Sequence, residues 1–361
     1  MKKIERNYGV DLLRIVAMYM VVVLHVLGKG GILYSLPKLS LSYEVAWILE
    51  IAAYCAVNCY ALISGYVGVN SRFKISSIIT LWLQVAFYTL GITVLFNCFM
   101  GETITTTHFL RALFPAIFKQ YWYFSAYVIL FFMTPFINAG IQGMKKTDLK
   151  IIILIMTVLF SFVSTFISSD YFMLNDGYSA LWLIYLYIVG GYIKKYGLCD
   201  CLSKSKLLLM YVISVLMTYL SKFAFEHFAL NIVESSRLFV NYLSPTILLA
   251  AISLLLLFSK IEVKGIVKKI VLILSPATFG VYLIHTQPLV WKYIWTNLFH
   301  SYISFSPLKL AIMVVITAAV VYVLLSIIDM MRNKIFNLLK VRENVIKIEN
   351  CFIETLSDKN I

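Results

Sequence analysis

The chain is 361 residues long, 61% hydrophobic and only 13% charged, with a mean hydropathy of +0.88. Such proportions exclude a soluble core and describe an integral membrane protein with most of its length inside the bilayer. The net charge of +14 rests on Lys and Arg residues scattered over separate short segments; no single element gathers them with aromatics, which argues against nucleic acid as a partner.

In chain order, the first apolar stretch, Val10 to Gly28, is the most informative, because it holds Asp11, Arg14 and His25 where ionisable side chains are expensive. Arg14 and His25 are eleven residues apart. At about 100° per residue this brings both side chains to nearly one helix face, separated by about 16 Å along the axis. Asp11 lies one turn before Arg14 and is its i,i+3 partner. The row offers a carboxylate and a guanidinium near one end and an imidazole roughly two thirds of the way across. It could hold an anion at one depth and move a proton at another. The other reading of the same residues is a snorkelling Arg14 and a satisfied interior histidine. Asp11 and Arg14 also interrupt any secretory apolar core, so the stretch reads as an uncleaved signal anchor.

About ten stretches are long enough to cross roughly 30 Å of hydrocarbon: residues 9–28, 43–67, 75–98, 121–142, 149–168, 177–194, 206–224, 237–259, 267–290 and 306–330. The expected fold is therefore all-α, a polytopic transmembrane bundle. The second stretch carries Glu50 at mid-span, where an unpaired carboxylate is costly, and is followed by Arg72 and Lys74 in a short loop. Between the third and fourth, His108 to Gln120 is apolar on one side but holds Arg111, Pro115 and Lys119, which suits an interfacial or re-entrant piece. Trp122 and Tyr123 open the fourth stretch, in the place of an interfacial aromatic belt. Gly190 and Gly191 in the sixth are expected to allow close helix packing. His285 stands in the outer half of the ninth. The six cysteines have neither disulfide nor zinc spacing, Cys199 and Cys201 included, and no metal site is expected. With no Gly/Pro/Ser-rich linker, residues 1–335 read as one membrane domain and 336–361 as a short tail.

Sorting the 31 Lys and Arg residues by the loops these spans create puts 22 on the side of the N-terminus and 8 on the other, with Arg14 inside the membrane. The positive-inside rule then predicts that both termini are cytoplasmic. Arg14 falls in the cytoplasmic leaflet and His25 nearer the outer one, so a cytosolic anionic donor and an external acceptor could meet at His25.

The opening run DLLRIVAMYMVVVLHV, with ten residues between its Arg14 and His25, resembles the signature of the acyltransferase-3 family of integral membrane acyltransferases. Further similar runs are LISGYV (Leu62 to Val67) with Arg72 and Lys74 after it, WYFSAYVILFFMTPFIN (Trp122 to Asn138), IVGGYI (Ile188 to Ile193) and FGVYLIHTQPLVW (Phe279 to Trp291). The likeness covers about residues 7 to 330. No hydrolase-like domain of the kind some members carry is seen after the last span.

The resemblance implies O-acylation of a cell-surface polysaccharide or its lipid-linked precursor, with cytosolic acetyl-CoA or another acyl-CoA as co-substrate and no permanently bound cofactor. In that setting His25 is the natural general base, because a neutral imidazole can take the hydroxyl proton at physiological pH. Arg14 orders the donor or balances developing charge, with Asp11 in support. Arg72 and Lys74 suit coenzyme A phosphates, with Ser64 and Gly65 of the LISGYV run beside them. Glu50 and His285 are supporting candidates, His285 being either an acceptor or second-layer contact or a packing residue, and Trp122 and Tyr123 fall on the acceptor side. A transporter or flippase of the same precursor is the alternative, and it would be expected to show paired repeats with interrupted helices, which are not evident.

Overall fold

The structure is a computed structural model and describes residues 6–101, 105–167, 169–198, 201–228 and 238–358. Among these residues every regular element is helical, as lipid requires of an open chain that must satisfy its own backbone. α1 (Tyr8–Leu27) starts where the Asn7 side chain accepts from the Val10 amide, which satisfies an orphan donor of the first turn. Ser40 starts α2 (Leu41–Tyr54) in the same way through the Tyr43 amide, and α3 (Ala56–Gly68) continues it after a break at Cys55, so the second stretch is one bent crossing. The chain continues through α4 (Ile75–Met100), α5 (Thr106–Leu113), α6 (Trp122–Gly143) and α7 (Lys146–Thr157). A π-helical turn (Val158–Val163) and α8 (Ser164–Phe166) extend α7. Next come α9 (Ala180–Tyr196), α10 (Lys204–Phe228), α11 (Pro245–Ser259), α12 (Gly265–Leu274), α13 (Thr278–His285), α14 (Pro288–Val290), α15 (Pro307–Leu338) and α16 (Val341–Asp358). The expected tail boundary at 335/336 falls inside α15, and most of the tail is the helix α16.

Among the described residues, eight crossings are long and apolar enough to span a membrane by length and composition. The two other expected spans are α9, 17 residues or about 26 Å, and α11, 15 residues or about 22 Å. Both lie largely inside the bundle, and α11 is preceded by the buried non-helical residues Val240 and Tyr242 to Ser244. Non-helical backbone is tolerated at membrane depth where protein surrounds it.

Hydrogen bonds between segments distant in the chain fix which helix ends lie together. Asn7 Nδ2 donates to the Ser259 carbonyl (2.8 Å), Lys260 Nζ to the Leu202 carbonyl (2.8 Å), and the Ile75 amide to Glu349 Oε1 (2.6 Å). These mark the terminal end of the bundle. At the far end, the Asn297 and Phe299 amides donate to the carbonyls of Lys29 and Gly30. Also towards the far end, Lys222 of α10, almost fully buried, pairs with Glu226 and lies over the rings of Tyr43 and Trp47 in α2. Removing one partner of such a buried pair costs about 3–5 kcal/mol.

α1 is the central helix, packed by α2, α3, α11, α12, α13 and α15. Side chains such as Ile151, Leu154, Leu209, Met217, Ile316 and Leu324 on α7, α10 and α15 face outward, forming the apolar surface a bilayer accepts. α3 and α9 approach backbone to backbone. A Cβ on Gly65 would collide with the Tyr187 carbonyl, and one on Gly190 with the Leu62 carbonyl; small residues permit this spacing in membranes. Gly191 faces Ile141 and Val69, so the packing role expected of the Gly190–Gly191 pair is what the structure shows.

Candidate active site

His25 sits in the last turn of α1, and its Nδ1 lies 2.8 Å from Nε2 of His285, which ends α13. Nδ1 of His285 is 2.5 Å from the Val281 carbonyl one turn earlier. A carbonyl only accepts, so His285 carries its proton on Nδ1 and, when neutral, accepts at Nε2. The proton of His25 is then on Nδ1, and its Nε2 presents a lone pair; this tautomer follows from the hydrogen-bond network. Trp291 meets the His25 ring edge-on at 5.2 Å, and Trp295 lies 5.7 Å from His285. His285, fully buried, thus touches His25 and orients its ring.

His25 lines a cavity of about 290 Å3 walled by aromatic rings, among them Tyr60, Trp122, Tyr123, Tyr178 and Tyr242. Trp122 lies 4.5 Å from Tyr178 and is nearly parallel to Tyr242 at 6.3 Å. Trp122 and Tyr123 thus turn inward and do not form an interfacial belt. The Tyr121 hydroxyl, donating to the Leu283 carbonyl (2.9 Å), fixes the start of α6 against α13. Fully buried Asn58 of α3 donates to the carbonyl of Tyr242 (2.8 Å) and accepts from the Trp182 indole (3.0 Å). Glu50, buried in α2, lies within electrostatic reach of Tyr54, Tyr178 and Tyr242.

Arg14 lines a different cavity, about 230 Å3, with Ser64, Ser71, Arg72, Lys74 and Asn138. Asp11 accepts from Arg14 Nη1 (2.9 Å) and from Arg6 Nε (2.6 Å), so one buried carboxylate orients two guanidinium groups. Ser64 does reach this cavity, though its hydroxyl donates to the Tyr60 carbonyl of its own helix (2.9 Å). Gly65 is placed differently from the donor site expected of it: Ser64 and Gly65 lie within α3, and the Cα of Gly65 faces the Tyr187 carbonyl. A partition of tyrosines separates the two cavities. Tyr60 lines the His25 cavity and donates to the Arg14 carbonyl (2.8 Å), while Tyr123 on one side stacks at 6.4 Å on Tyr127 from the other.

Two features escape a reading of the sequence. Tyr178 and Tyr242 carry no local signal in a chain with 24 tyrosines. Asp329 and Arg332 did have one, the same i,i+3 acid–base spacing as Asp11 and Arg14, but Arg332 reads as a loop charge just past the last stretch. In the structure α15 continues, and Arg332 Nη2 holds both Asp329 oxygens at 2.8 Å; Tyr88 (2.7 Å) and Gln84 (3.2 Å) donate to the same carboxylate. Gly280 of α13 abuts that carboxylate so closely that a Cβ would overlap it. The described cysteines are free thiols, and Cys199 lies outside the described residues.

The sequence model of a family described as an acyltransferase domain matches residues 7–327. Comparison with curated proteins and with solved structures found no match.

Proposed function

The chain belongs to the acyltransferase-3 family, since the match covers residues 7–327, and from that premise we propose a membrane O-acyltransferase that moves an acyl group, acetyl in our assignment, from cytosolic acyl-CoA to a hydroxyl of a surface polysaccharide or its lipid-linked precursor. We further assign it to the bacterial cytoplasmic membrane with both termini inside, which makes the terminal end the donor side.

The observation that carries this reading is the chain from the Val281 carbonyl through His285 to His25, ending in an imidazole at the wall of an aromatic cavity. A general base needs a basic nitrogen within hydrogen-bond reach of the proton it removes and a partner that fixes its tautomer. The flat faces of Trp122 and Tyr178 suit the C–H face of a sugar ring, which would present its hydroxyl to His25. The thioester arrives from the Arg14 cavity through the tyrosine partition. As the hydroxyl oxygen attacks the thioester carbonyl, Nε2 of His25 takes the proton. Collapse of the tetrahedral adduct breaks the C–S bond, and the departing thiolate recovers that proton, leaving ester, free coenzyme A and neutral His25. Arg14, Arg72 and Lys74 hold the donor's phosphates, the planar guanidinium groups by paired hydrogen bonds.

The test is acceptor-dependent release of coenzyme A by the purified protein, together with mass spectrometry of surface glycans from a deletion strain. Release that requires a glycan hydroxyl, and loss of ester groups from the strain, are the expected results. Movement of intact glycan precursor with no release of coenzyme A would overturn the reading in favour of a carrier.

A further inference from the structure

A second cavity at the terminal end adjoins the Arg14 cavity and shares Lys74 and Ser77 with it. It measures about 480 Å3 and lies between α4, α15 and α16, with Lys74, Thr80, Gln84, Arg332 and Arg342 on its walls. Among the described residues no acidic side chain lines it. Arg332 is 7% exposed, and its guanidinium is locked by Asp329, so this cation is positioned before any ligand arrives. The two adjoining cavities together present Arg14, Arg72, Lys74, Arg332 and Arg342.

The head of α4 points to what the second cavity holds. Lys74 provides no side-chain cap there, and the first amides of a helix attract anions. An anion is present: the carboxylate of Glu349, from α16, accepts from the Ile75 amide at 2.6 Å. The Ser76 hydroxyl, helped by the Ser76 and Ile75 amides and by Lys74, holds that carboxyl below its usual range. The C-terminal helix thus seats its own negative group at the rim of a cationic cavity that opens towards Arg14.

We propose that this cavity receives the ribose monophosphate of the acyl donor, whose diphosphate lies in the Arg14 cavity, and that Glu349 keeps its place until the donor enters. The proposal rests on the acyl-CoA reading above. Coenzyme A carries two separate phosphate groups, a diphosphate on its pantetheine arm and a monophosphate on its ribose, which matches two cationic cavities sharing Lys74. The arm then runs through the Arg14 cavity towards His25, while the nucleotide stays under α16.

The experiment compares acetyl-CoA with S-acetylpantetheine, which has the thioester and lacks the nucleotide, in wild type, Arg342→Gln and Glu349→Gln, with thermal unfolding to check folding. Arg342→Gln should raise KM for acetyl-CoA about tenfold, the loss of one charge-assisted contact, and this effect should vanish with S-acetylpantetheine. Glu349→Gln, which removes the competing charge, should lower KM for acetyl-CoA about threefold, again with no effect on S-acetylpantetheine. An unchanged KM in Arg342→Gln, or an equal rise with both thioesters, overturns the proposal while the acyl-CoA reading stands. A raised KM in Glu349→Gln overturns the place-holding role. If the cavity instead holds a phospholipid headgroup, Arg342→Gln in neutral detergent will keep the wild-type KM and lose stabilisation by added phosphatidylglycerol, which also overturns it. If wild type uses neither thioester, the donor reading fails and this subsite with it.

Discussion

The two ends of the Arg14–His25 row are built from opposite materials. At the far end His25 is surrounded by rings and bonded to His285, which is backed by the Val281 carbonyl. At the terminal end Arg14 faces hydroxyls, an amide and other cations, beside the loop that carries Ser71, Arg72 and Lys74. Under the proposed function, the difference matches the task of each end. Proton transfer benefits from a fixed tautomer and little competing water, whereas capture of a highly charged donor needs several cations near an entrance. One helix supplies both, because its centre is apolar and long enough to keep them about 16 Å apart.

The sharpest way to break this comparison is His25→Ala. If the far end handles the proton, acylation should fall about 10²–10⁴-fold in rate with insertion and abundance unchanged; near-normal glycan acylation would remove His25 from the chemistry. Arg14→Lys comes next, since lysine keeps the charge and loses the planar fork. We expect a loss of roughly 10–100-fold in kcat/KM if the fork is used, and unchanged kcat/KM would reduce Arg14 to charge balance. His285 separates positioning from packing. His285→Leu should lower kcat about tenfold or more by freeing the His25 ring, and His285→Gln, whose carbonyl can still accept from His25, should recover part of it; equal activity in the two variants would show that the bond to His25 is not used. The mildest effect belongs to the terminal end. With Arg72 and Lys74 both replaced by Gln, KM for acyl-CoA should rise several-fold with kcat kept, because phosphate contacts remote from the carbonyl contribute mostly uniform binding. That defect should deepen with salt. A double variant with wild-type donor dependence would leave this pair a role in orientation alone.

The row itself was legible in the sequence, because a guanidinium and an imidazole in an apolar stretch stand out and helical periodicity fixes their shared face. The bundle was legible for the same reason, through the apolar stretches. What pairs with the row was not. His25 and His285 are 260 residues apart in the chain, and nothing local in the YLIH run says that its imidazole turns towards α1. The aromatic cavity was hidden by abundance, since with 15% aromatic residues no single Tyr marks itself. Glycines showed the opposite problem: Gly65 and Gly190 have similar sequence surroundings, yet Gly65 reads as a donor-site residue and Gly190 as a packing residue, and only tertiary packing shows that a neighbouring helix approaches both.

The π-helical turn Trp291–Trp295 has one further consequence. Its wide ring, closed by the Thr296 amide on the Trp291 carbonyl at 3.0 Å, holds one residue more than an α-turn, and this places one indole on His25 and the other on His285. The constraint on this segment is accordingly one of length as much as identity. Deleting a single residue such as Tyr293 would let the turn relax to α-helical spacing and rotate one indole off its histidine, so gaps should be tolerated less well here than substitutions of the residues between the two tryptophans.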